Sequence, residues 1–522
     1  MTALNDQAHQ AGYDVIVVGG GPAGSTAAAL TAMAGHRVLL LEKESFPRHQ
    51  IGESLLPATV HGICTLLGVA DEIHQAGFMP KRGGTFRWGA NPEPWNFLFA
   101  YSPVLSGPAS TAYQVERMKF DQILLDNARR VGVEVHEQAT ALASLTSPTD
   151  AGERVTGVRW RDKDGTEHES TARFVVDGSG NTGRLSRTLG KRRYSEAFKN
   201  IALYGYFEGG KRLPGPDAGN ILCCAFDEGW FWYIPLTDEL TSVGVVVNRS
   251  RAQALQQDPE TALKDLIERA PMIREYLADA TRVTEGPYGQ LRVRKDYSYA
   301  MERFWAPGMA LVGDAACFID PVFSTGVHLG TYGALLAARS INAVLAGELT
   351  EERAFEEFER RYRREYGVFY EFLLAFYDMR QTEESYFWEA RRASETATSD
   401  LNAFVELVGG VSSGETVLTD PDALRARFAA SSAELAEAID STGPARTRSG
   451  ERMDKLFGTQ VVEGVMQGMN EVQARARLGG TSALEQPLFP GGLVPTPDGL
   501  RWTEPATDAA PADAAVGTGA ER

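Results

Sequence analysis

The feature that most constrains the fold is a glycine-rich motif near the start of the chain. The apolar, β-branched run 15–18 predicts a buried strand. Gly19, Gly21 and Gly24 follow it with G-x-G-x-x-G spacing, and the small residues of 23–34 predict a helix. Glycines at these positions let the chain turn tightly and let its backbone approach a pyrophosphate.

A second strand and an acidic residue complete the motif. Residues 38–41 predict the strand, and Glu42 stands at its end, where an acid binds ribose hydroxyls. The start of the preceding helix, at Pro22 and Ala23, offers N–H groups and a dipole that suit a phosphate. The order strand, glycines, helix, strand, acid predicts a dinucleotide site and leaves open whether the ligand is FAD or NAD.

Composition narrows the class of protein. The 522 residues, 43% of them hydrophobic, can build a large core and more than one domain. A net charge of −17 argues against nucleic acid and anionic membranes as partners. The first 12 residues do not resemble a signal peptide, and no run reaches the length of a membrane span.

The four cysteines point to a reducing compartment. They show neither a CxxC pair nor the spacing of metal ligands, so we expect no metal site and reduced, mostly buried thiols in a cytoplasmic protein; they are Cys64, Cys223, Cys224 and Cys317.

A second glycine series occurs at residues 177–183, where Gly178, Gly180 and Gly183 repeat the G-x-G-x-x-G spacing. The sequence after it is basic and polar, and it predicts neither an alanine-rich helix nor a strand that ends in an acid. We therefore predict that this stretch is not a second dinucleotide fold and that no nicotinamide cofactor binds.

Three further residues are candidate cofactor contacts. Arg48 follows Glu42 closely and could reach a phosphate or the ribose, although a solvated loop arginine is an equally good interpretation. Arg117 precedes an amphipathic helical pattern and could face the cofactor. Asp314 closes the short apolar strand 310–312, where it could hold a chain of sugar-like hydroxyls.

Another helix is predicted to start at Ser324, followed by Thr325 and Gly326. The free N–H groups of such an end stabilise negative charge. A reduced flavin ring and a halide ion are both anions that suit it.

Residues 201–247 are rich in strand patterns and predict a mainly antiparallel sheet that is inserted between two halves of the cofactor domain. Its residues 230–233, WFWY, suggest one aromatic cluster, closed by Ile234 and Pro235, that forms a pocket wall for a flat ligand. The aromatic stripe within 351–392 is interpreted as helical core, and a further helix is predicted at 421–440.

Three stretches together resemble the flavin-dependent halogenases. WFWYIP, with Trp230 and Trp232, is similar to the W-x-W-x-I-P signature of that family, and FIDPVFSTG at 318–326 is similar to its F-x-x-P-x-x-S-x-G signature. Lys81 in PKRGG resembles the catalytic lysine of the family. Without the resemblance, a lysine beside glycines is more typical of a solvated loop.

The resemblance implies a fold class and a division of the chain. The fold is α/β, with an FAD-binding Rossmann-like domain of the hydroxylase (glutathione-reductase-like) type, an inserted antiparallel substrate sheet and a C-terminal helical region. The expected segments are a flexible N-terminus (1–12), the first part of the FAD domain (13–190), the substrate sheet (191–300), the last part of the FAD domain (301–346), a helical region (347–502) and a disordered tail (503–522).

Several stretches, among them IGESLLPATVHG and KRGGTFRWGA, are most similar to the halogenases of glycopeptide-antibiotic assembly. This resemblance implies that a phenolic ring of the tyrosine or hydroxyphenylglycine type is chlorinated while it is held on a peptidyl carrier protein in non-ribosomal peptide biosynthesis. It also implies reduced FAD supplied by a separate flavin reductase, with O₂ and chloride as co-substrates.

The family chemistry gives each residue a role. Through a peroxyflavin, chloride held near the amides of Thr325 and Gly326 becomes hypohalous acid. Lys81 then hydrogen-bonds this acid or forms a haloamine, while Trp230 and Trp232 keep the substrate away from the flavin. In relatives that act on free tryptophan an acidic residue precedes the signature serine. Here that position is Phe323, on the pocket wall, so no general base is predicted.

Three other functions share parts of this pattern. A flavin monooxygenase that hydroxylates a phenol would need the glycine motif, Glu42 and Asp314, but not Lys81 together with the tryptophan wall. A reductase of isoprenoid or other double bonds would not consume O₂. A flavin-binding scaffold that docks a carrier protein would turn over no substrate.

Overall fold

The computed structural model describes residues 12–105, 107–150, 152–183, 185–295, 298–394, 399–413, 415, 418, 487–496 and 498–505. The helix predicted at 421–440, nearly all of the N-terminal segment 1–12 and most of the tail predicted at 503–522 lie outside these residues.

Strands account for two large sheets and three small ones among the described residues. In chain order they are β1 (Tyr13–Val18), β2 (Val38–Leu41), β3 (Met79–Lys81), β4 (Gly83–Arg87), β5 (Trp95–Leu98), β6 (Ala112–Gln114), β7 (Glu134–His136), β8 (Thr140–Thr149), β9 (Gly152–Arg161), β10 (Glu167–Asp177), β11 (Arg192–Tyr194), β12 (Asn200–Glu208), β13 (Ile221–Phe226), β14 (Gly229–Pro235), β15 (Leu240–Asn248), β16 (Thr281–Arg282), β17 (Arg292–Lys295), β18 (Tyr299–Met301), β19 (Trp305–Ala306), β20 (Met309–Leu311), β21 (Cys317–Phe318), β22 (Val494–Pro495) and β23 (Trp502–Thr503).

The described helices are α1 (Pro22–Met33), α2 (Cys64–Leu66), α3 (Ala70–Gln75), α4 (Arg117–Arg130), α5 (Ala252–Gln257), α6 (Pro259–Glu268), α7 (Pro271–Tyr276), α8 (Thr325–Leu345), α9 (Glu351–Phe376), α10 (Glu383–Ser394) and α11 (Asp400–Val408). A π-helical segment, Ala58–Ile63, leads into α2.

The first large sheet builds the cofactor domain. Its strands lie in the order β19-β20-β10-β1-β2-β7, and β1 pairs in parallel with both β10 and β2. The predicted order of strand, glycines, helix and strand is therefore confirmed. Because the pairing is parallel, β1, β10 and β20 all end at the same edge, which is the edge where open α/β sheets bind ligands. Helix α1 packs on this sheet between α4 and α8.

The second large sheet is mainly antiparallel, with the order β16-β12-β15-β14-β13-β4-β5. Strands β4 and β5 fall within the range 13–190 of the sequence, yet they join this sheet because β4 pairs in parallel with β13. The α/β class with an inserted antiparallel sheet is confirmed, and part of that sheet comes from the first third of the chain.

The aromatic run on β14 does not form one cluster. Trp230 and Trp232 face the core shared with the cofactor domain, whereas Phe231 and Tyr233 face a second core under α5, α6 and α7. Successive side chains of a strand point to opposite faces, so the four rings divide two and two. Only the tryptophans can contribute to a wall on the cofactor side.

The helical region packs an aromatic core against the cofactor domain. The predicted stripe on α9 is confirmed as core, since Phe355, Tyr362, Phe369 and Phe376 are all fully buried. All four cysteines are buried and free, as predicted. In the described part of the chain, no helix combines the length and the apolar character that a bilayer span requires.

Candidate functional site

The glycine loop between β1 and α1 is built so closely that side chains would not fit. Gly19 has a φ of +102°, and a Cβ there would come within 2.4 Å of the Gly178 carbonyl oxygen. A Cβ at Gly24 would lie 1.8 Å from the Gly19 carbonyl oxygen. Gly21 caps α1 without a side-chain hydrogen bond, so the first N–H groups of α1 remain available to a phosphate.

The second glycine series belongs to this same loop system. Gly178 follows β10 directly, its N–H donates to the Val18 carbonyl at 2.8 Å, and it lies against the backbone of Gly24. The residues that follow form a 3₁₀ turn, Gly180–Thr182, rather than a long helix. The second series therefore supports the first loop structurally.

Glu42 is buried at the end of β2 and turned toward the glycine loop. Its Oε2 accepts the Gly20 N–H at 2.6 Å, and its Oε1 accepts the Glu44 N–H at 2.8 Å. These bonds fix the carboxylate, and each oxygen keeps a further lone pair for a ligand hydroxyl.

Arg48 and Arg117 are held together by one acid that the sequence did not single out. Asp121 is fully buried and accepts from Arg48 at 2.7 Å and from Arg117 at 2.7 and 2.9 Å. A Cβ at Gly21 would lie 3.3 Å from an Arg48 Nη, so that guanidinium borders the glycine loop. Arg117 also donates to the Ile51 carbonyl at 2.6 Å. Both guanidinium groups are thus held in place, and that of Arg48 lies beside the glycine loop.

Asp314 follows β20 at the sheet edge. Burial raises the pKa of its carboxyl, and Arg294, Arg117 and Arg192 oppose that rise. No hydrogen bond joins this carboxylate to another residue among those described, which leaves both oxygens open to ligand hydroxyls. Gly313 beside it packs against Ala23 of α1, at 3.0 Å from a hypothetical Cβ to the Ala23 methyl.

The start of α8 has an unusual backbone. Ser324 takes a left-handed conformation with φ of +61° and gives no side-chain cap. Conformations of this kind cost free energy outside glycine and cluster at functional sites. The hydroxyl of Thr325 is buried without a partner among the described residues, and Gly326 completes the first turn against the Phe318 ring. This end can therefore hold an anion on its amides.

The two signature tryptophans are fixed by separate hydrogen bonds. Trp230 donates its indole N–H to the Tyr377 hydroxyl at 2.8 Å, and that hydroxyl donates to Asp320 Oδ2 at 2.9 Å. Trp232 donates to the Ser242 hydroxyl at 3.2 Å. Burial raises the pKa of Asp320 to about 7, against the hydrogen bonds that it accepts.

Of the other predicted wall residues, Ile234 and Pro235 end β14 and are buried. Phe323 lies deep in aromatic packing, with its ring centroid 4.6 Å from that of Phe376 and 5.1 Å from that of Phe372. An ionised carboxylate at position 323 would be buried among these rings without a partner.

Lys81 ends β3 and is buried, with only 3% of its surface exposed. The strand pairs with β6, and the Lys81 ammonium donates to the Leu55 carbonyl at 3.0 Å. It lies 5.6 Å from the centre of the Phe99 ring, with Cys223 also nearby. Burial lowers the pKa of Lys81 to about 7, against the influence of Cys223. The interpretation as a solvated loop lysine is wrong.

Comparison with known proteins identifies the family of this chain. A family model described as tryptophan halogenase matches residues 14–107 and 101–476. The chain belongs to the flavin-dependent halogenases. It is 34% identical over 410 residues to the tryptophan 2-halogenase of Chondromyces crocatus, covering 76% of this chain and 75% of that protein.

Two solved structures are similar to this halogenase. The myxobacterial chondrochloren halogenase CndH, described as a new variant of FAD-dependent halogenases, is 51% identical, with a TM-score of 0.71 over 95% of this chain and 100% of that one. The flavin-dependent halogenase CmlS is 33% identical, with a TM-score of 0.65 over 76% of this chain and 70% of that one. Because the chain belongs to this family of halogenases, the monooxygenase, reductase and scaffold alternatives are rejected.

The residues at the sheet edge fit FAD. The uncapped helix start, the loop that excludes any Cβ at Gly24, the fixed carboxylate of Glu42 and the unbonded carboxylate of Asp314 supply the donors and acceptors that a pyrophosphate, a ribose and a ribityl chain require. When bound, FAD supplies the oxygen chemistry, and halide and O₂ are its co-substrates in this family.

Sequence reasoning missed the residues that hold the others in place. Asp121 could have been found from its i,i+4 spacing to Arg117 on a helix. Asp320 stands inside the FIDP signature but gave no sign of its burial. Tyr377, 57 residues further along, gave no local signal.

The contact between Tyr377 and Trp230 gives a first prediction. Tyr377→Phe leaves the buried Trp230 N–H without its partner and removes one of the hydrogen bonds that the Asp320 carboxylate accepts. We therefore expect a loss of stability of about 1–3 kcal/mol and less halogenated product per FAD oxidised. Thermal unfolding and product mass per flavin measure both effects. Tyr370→Phe is the control, because it removes from α9 a hydroxyl that is bonded to Ser195. Equal losses in the two variants would contradict the special role of Tyr377.

Proposed function

We propose that this halogenase chlorinates a phenolic ring that is held as a thioester on a peptidyl carrier protein, and that Lys81 delivers the halogen. The single observation that carries the proposal is a buried lysine with a pKa near 7 in a fold whose signature loop has phenylalanine where an acid could stand. The alternatives that remain concern the substrate, since the family is established.

Lys81 has the chemistry that the transfer needs. A lysine amine is nucleophilic only when it is unprotonated, and a pKa of about 7 leaves roughly half of it free at neutral pH. The free amine can react with hypohalous acid to give a haloamine and water. The ring then takes the halogen and returns its proton, so that the amine is regenerated. A hydrogen bond from the ammonium to hypohalous acid is the other route.

The substrate is inferred from what the loop lacks. An indole ring benefits from an acid beside the reacting carbon, whereas a phenol activates its own ortho carbon through its oxygen. Phe323 offers no proton acceptor, and its packing against Phe372 and Phe376 leaves only 4% of its surface exposed. These facts favour a phenol over the tryptophan that the name of the Chondromyces relative gives.

The carrier protein is inferred from the resemblance of stretches such as IGESLLPATVHG to glycopeptide-antibiotic halogenases. Reduced FAD is proposed to come from a separate reductase, because the second glycine series supports the first loop rather than a nicotinamide site. Purified enzyme should then oxidise no NADPH by itself.

Intact-mass analysis tests the substrate directly. Enzyme, reduced FAD, O₂ and chloride are incubated with tyrosyl- and hydroxyphenylglycyl-carrier protein, with the free amino acids and with free tryptophan. We expect the mass increase of one chlorine, less one hydrogen, on the carrier-bound phenols alone. Efficient chlorination of free tyrosine would remove the carrier from the proposal, and chlorination of tryptophan would remove the phenol. Omission of chloride is the control.

A further inference from the structure

A buried acid that the chemistry described so far does not use stands between the two halves of the site. Glu53 is 2% exposed and lies two residues before Leu55, whose carbonyl holds Lys81. Its Oε2 is buried without a hydrogen-bond partner among the described residues. Burial raises its pKa to about 7, against hydrogen bonds from Tyr206 and Ser242 and the charge of Arg117. An acid with one open oxygen and this pKa can both take up and release a proton near neutral pH.

The other oxygen of Glu53 begins a short chain of hydrogen bonds. Tyr206 is fully buried on β12 and donates its hydroxyl to Glu53 Oε1 at 2.7 Å. The same hydroxyl lies 2.7 Å from His49 Nε2. Because the tyrosine proton is given to Glu53, His49 must donate through Nε2, which leaves Nδ1 as its acceptor. His49 is half-buried, so the chain runs from the partly exposed histidine to the buried carboxyl.

The inner end of the chain faces the cofactor side. Arg117, which is close enough to lower the pKa of Glu53, also lowers that of Asp314 at the sheet edge. Tyr206 is the cross-strand neighbour of Ser242, whose hydroxyl accepts the hydrogen bond from the Trp232 indole. Glu53 therefore lies where the cofactor cleft meets the signature tryptophan.

Halogenation consumes one proton in each turnover. For each turnover, an aryl C–H, a halide ion, O₂, FADH₂ and one proton give an aryl halide, FAD and two waters. Two electrons come from the flavin and two from the halide, which enters the ring as an electrophile, and all four reduce O₂. The halide arrives without a proton, so one must enter from solvent for each product formed.

We propose that His49, Tyr206 and Glu53 form the proton inlet of this halogenase, with His49 taking the proton from solvent and Glu53 releasing it into the cofactor cleft. Each transfer moves one proton along an existing hydrogen bond and leaves His49 neutral with its proton on Nδ1. The chain resets when the Tyr206 hydroxyl turns back toward Glu53, the Glu53 carboxyl rotates so that its proton leaves through the open oxygen, and His49 exchanges its proton with solvent to restore the Nε2–H tautomer. Burial and the surrounding arginines lower the pKa of His49 to about 4, so it carries the proton only transiently.

The groups that face the inlet determine its titration. They come from the 48–53 segment, from α4 and from the second sheet with its adjoining turn, and they are Arg48, Glu116, Arg117, Tyr204, Tyr288, Arg292 and Arg294. The arginines disfavour a charged His49, and Arg117 favours the charged form of Glu53.

Infrared spectroscopy of the purified protein tests the inlet without turnover. We expect protonated-carboxyl absorption that titrates near neutral pH, from which Glu53→Gln removes the Glu53 band and leaves that of Asp320. In Tyr206→Phe the band should persist to higher pH, because the carboxylate loses a donor. A spectrum in which Glu53→Gln removes no titrating carboxyl would overturn the proposal.

Turnover of the reconstituted enzyme provides the second measurement. Tyr206→Phe should slow halogenation by about 10²-fold, and imidazole buffer should restore its rate by delivering protons without the chain. His49→Gln, at the outer end, should show the same rescue and covers the case in which an inner variant does not fold. Tyr233→Phe, on the opposite face of the same sheet, is the matched control. Wild-type turnover of Tyr206→Phe, or slow turnover that imidazole does not restore, would each refute the inlet.

Discussion

Replacing Lys81 by methionine should abolish halogenated product while FAD still binds and reduced FAD is still oxidised by O₂. Methionine fills the buried space beside Phe99 and the Leu55 carbonyl but supplies no amine. The loss should reach at least about three orders of magnitude, as when a nucleophile is removed. Lys81→Arg should fail as well, because a guanidinium stays charged and is a poor nucleophile. Stopped-flow flavin spectra, paired with product mass, separate the two halves of the reaction.

Lys119→Met is the matched control for this experiment. Lys119 also donates to a backbone carbonyl and lies 5.6 Å from the centre of a phenylalanine ring, Phe78, but it is exposed on α4. Its replacement should leave product formation unchanged. Product from Lys81→Met at a rate near that of the wild type would leave the halogen transfer without its proposed residue.

Acid should impair both the activity and the stability that depend on Lys81, and both effects can be measured. Product formation should rise with pH through about 7 as the amine loses its proton. Because the folded-state pKa lies below the unfolded value, the unfolded chain binds the extra proton between about 7 and 10.4. Burial of Lys81 thus costs stability in full below pH 7, and this cost fades as the pH rises. Lys81→Met should therefore be stabilised most at low pH.

Glu42 and Lys81 differ in how well the local sequence predicts their positions. Glu42 is placed by β1, the glycines, α1 and β2, which are continuous in the chain, so their pattern predicted its position. Lys81 is buried because β3 pairs with β6, where it stands opposite Ala112. Because the two strands are some thirty residues apart in the chain, no local pattern around Lys81 predicts their pairing, and the neighbouring glycines favour a loop.

The differences between prediction and structure on the substrate side have two separate causes. Along the strand 229–235, the alternation of side chains separates Trp230 from Phe231, and this local rule by itself excludes a single aromatic cluster. The second cause is long-range. Serine favours the N-cap of a helix, so local preference would start a helix at Glu53 and Ser54. This segment is instead extended, with Ser54 bridged to Gln114, and helical structure begins at Ala58. Tertiary contacts, which a single sequence does not display, outweigh the local preference there.

A buried ion network joins the end of the described chain to the cofactor domain. Glu415 accepts from Arg339 of α8 at 2.8 Å and from Arg361 of α9 at 3.1 Å. The two guanidinium groups each lie 4.7 Å from the centre of the Trp502 ring. Arg361 also donates to the Leu493 carbonyl at 2.8 Å. Arg361 has a second buried carboxylate partner, Glu357, at 2.6 Å. Glu415 is thus the acid that the two cations share, and they hold the segment around Trp502 against the helices.

Glu415→Gln should destabilise the protein by about 3–5 kcal/mol, because it keeps the shape of the side chain but removes the carboxylate partner of the buried Arg339 and leaves Arg361 with Glu357 alone. Burial raises the pKa of Glu415, but the two arginines outweigh it and hold that pKa below the usual range. The stabilisation is therefore fully present above the ordinary glutamate pKa and is lost as the pH falls through the lower folded value. The gap in urea midpoint between wild type and variant should shrink in acid.

Glu348→Gln is the control that distinguishes the loss of a buried ion pair from the loss of an exposed one. Glu348 pairs with Arg501 at 2.5 Å and ties the same C-terminal segment to the region just after α8, but both partners are at least one-third exposed. Exposed pairs contribute about 0–1 kcal/mol, so this variant should unfold close to the wild type. If Glu415→Gln were no worse than Glu348→Gln, the segment around Trp502 would have to be held by its apolar contacts rather than by the ion network. Trp502→Leu, which keeps the ion pairs and removes the ring between them, should then be the more damaging change.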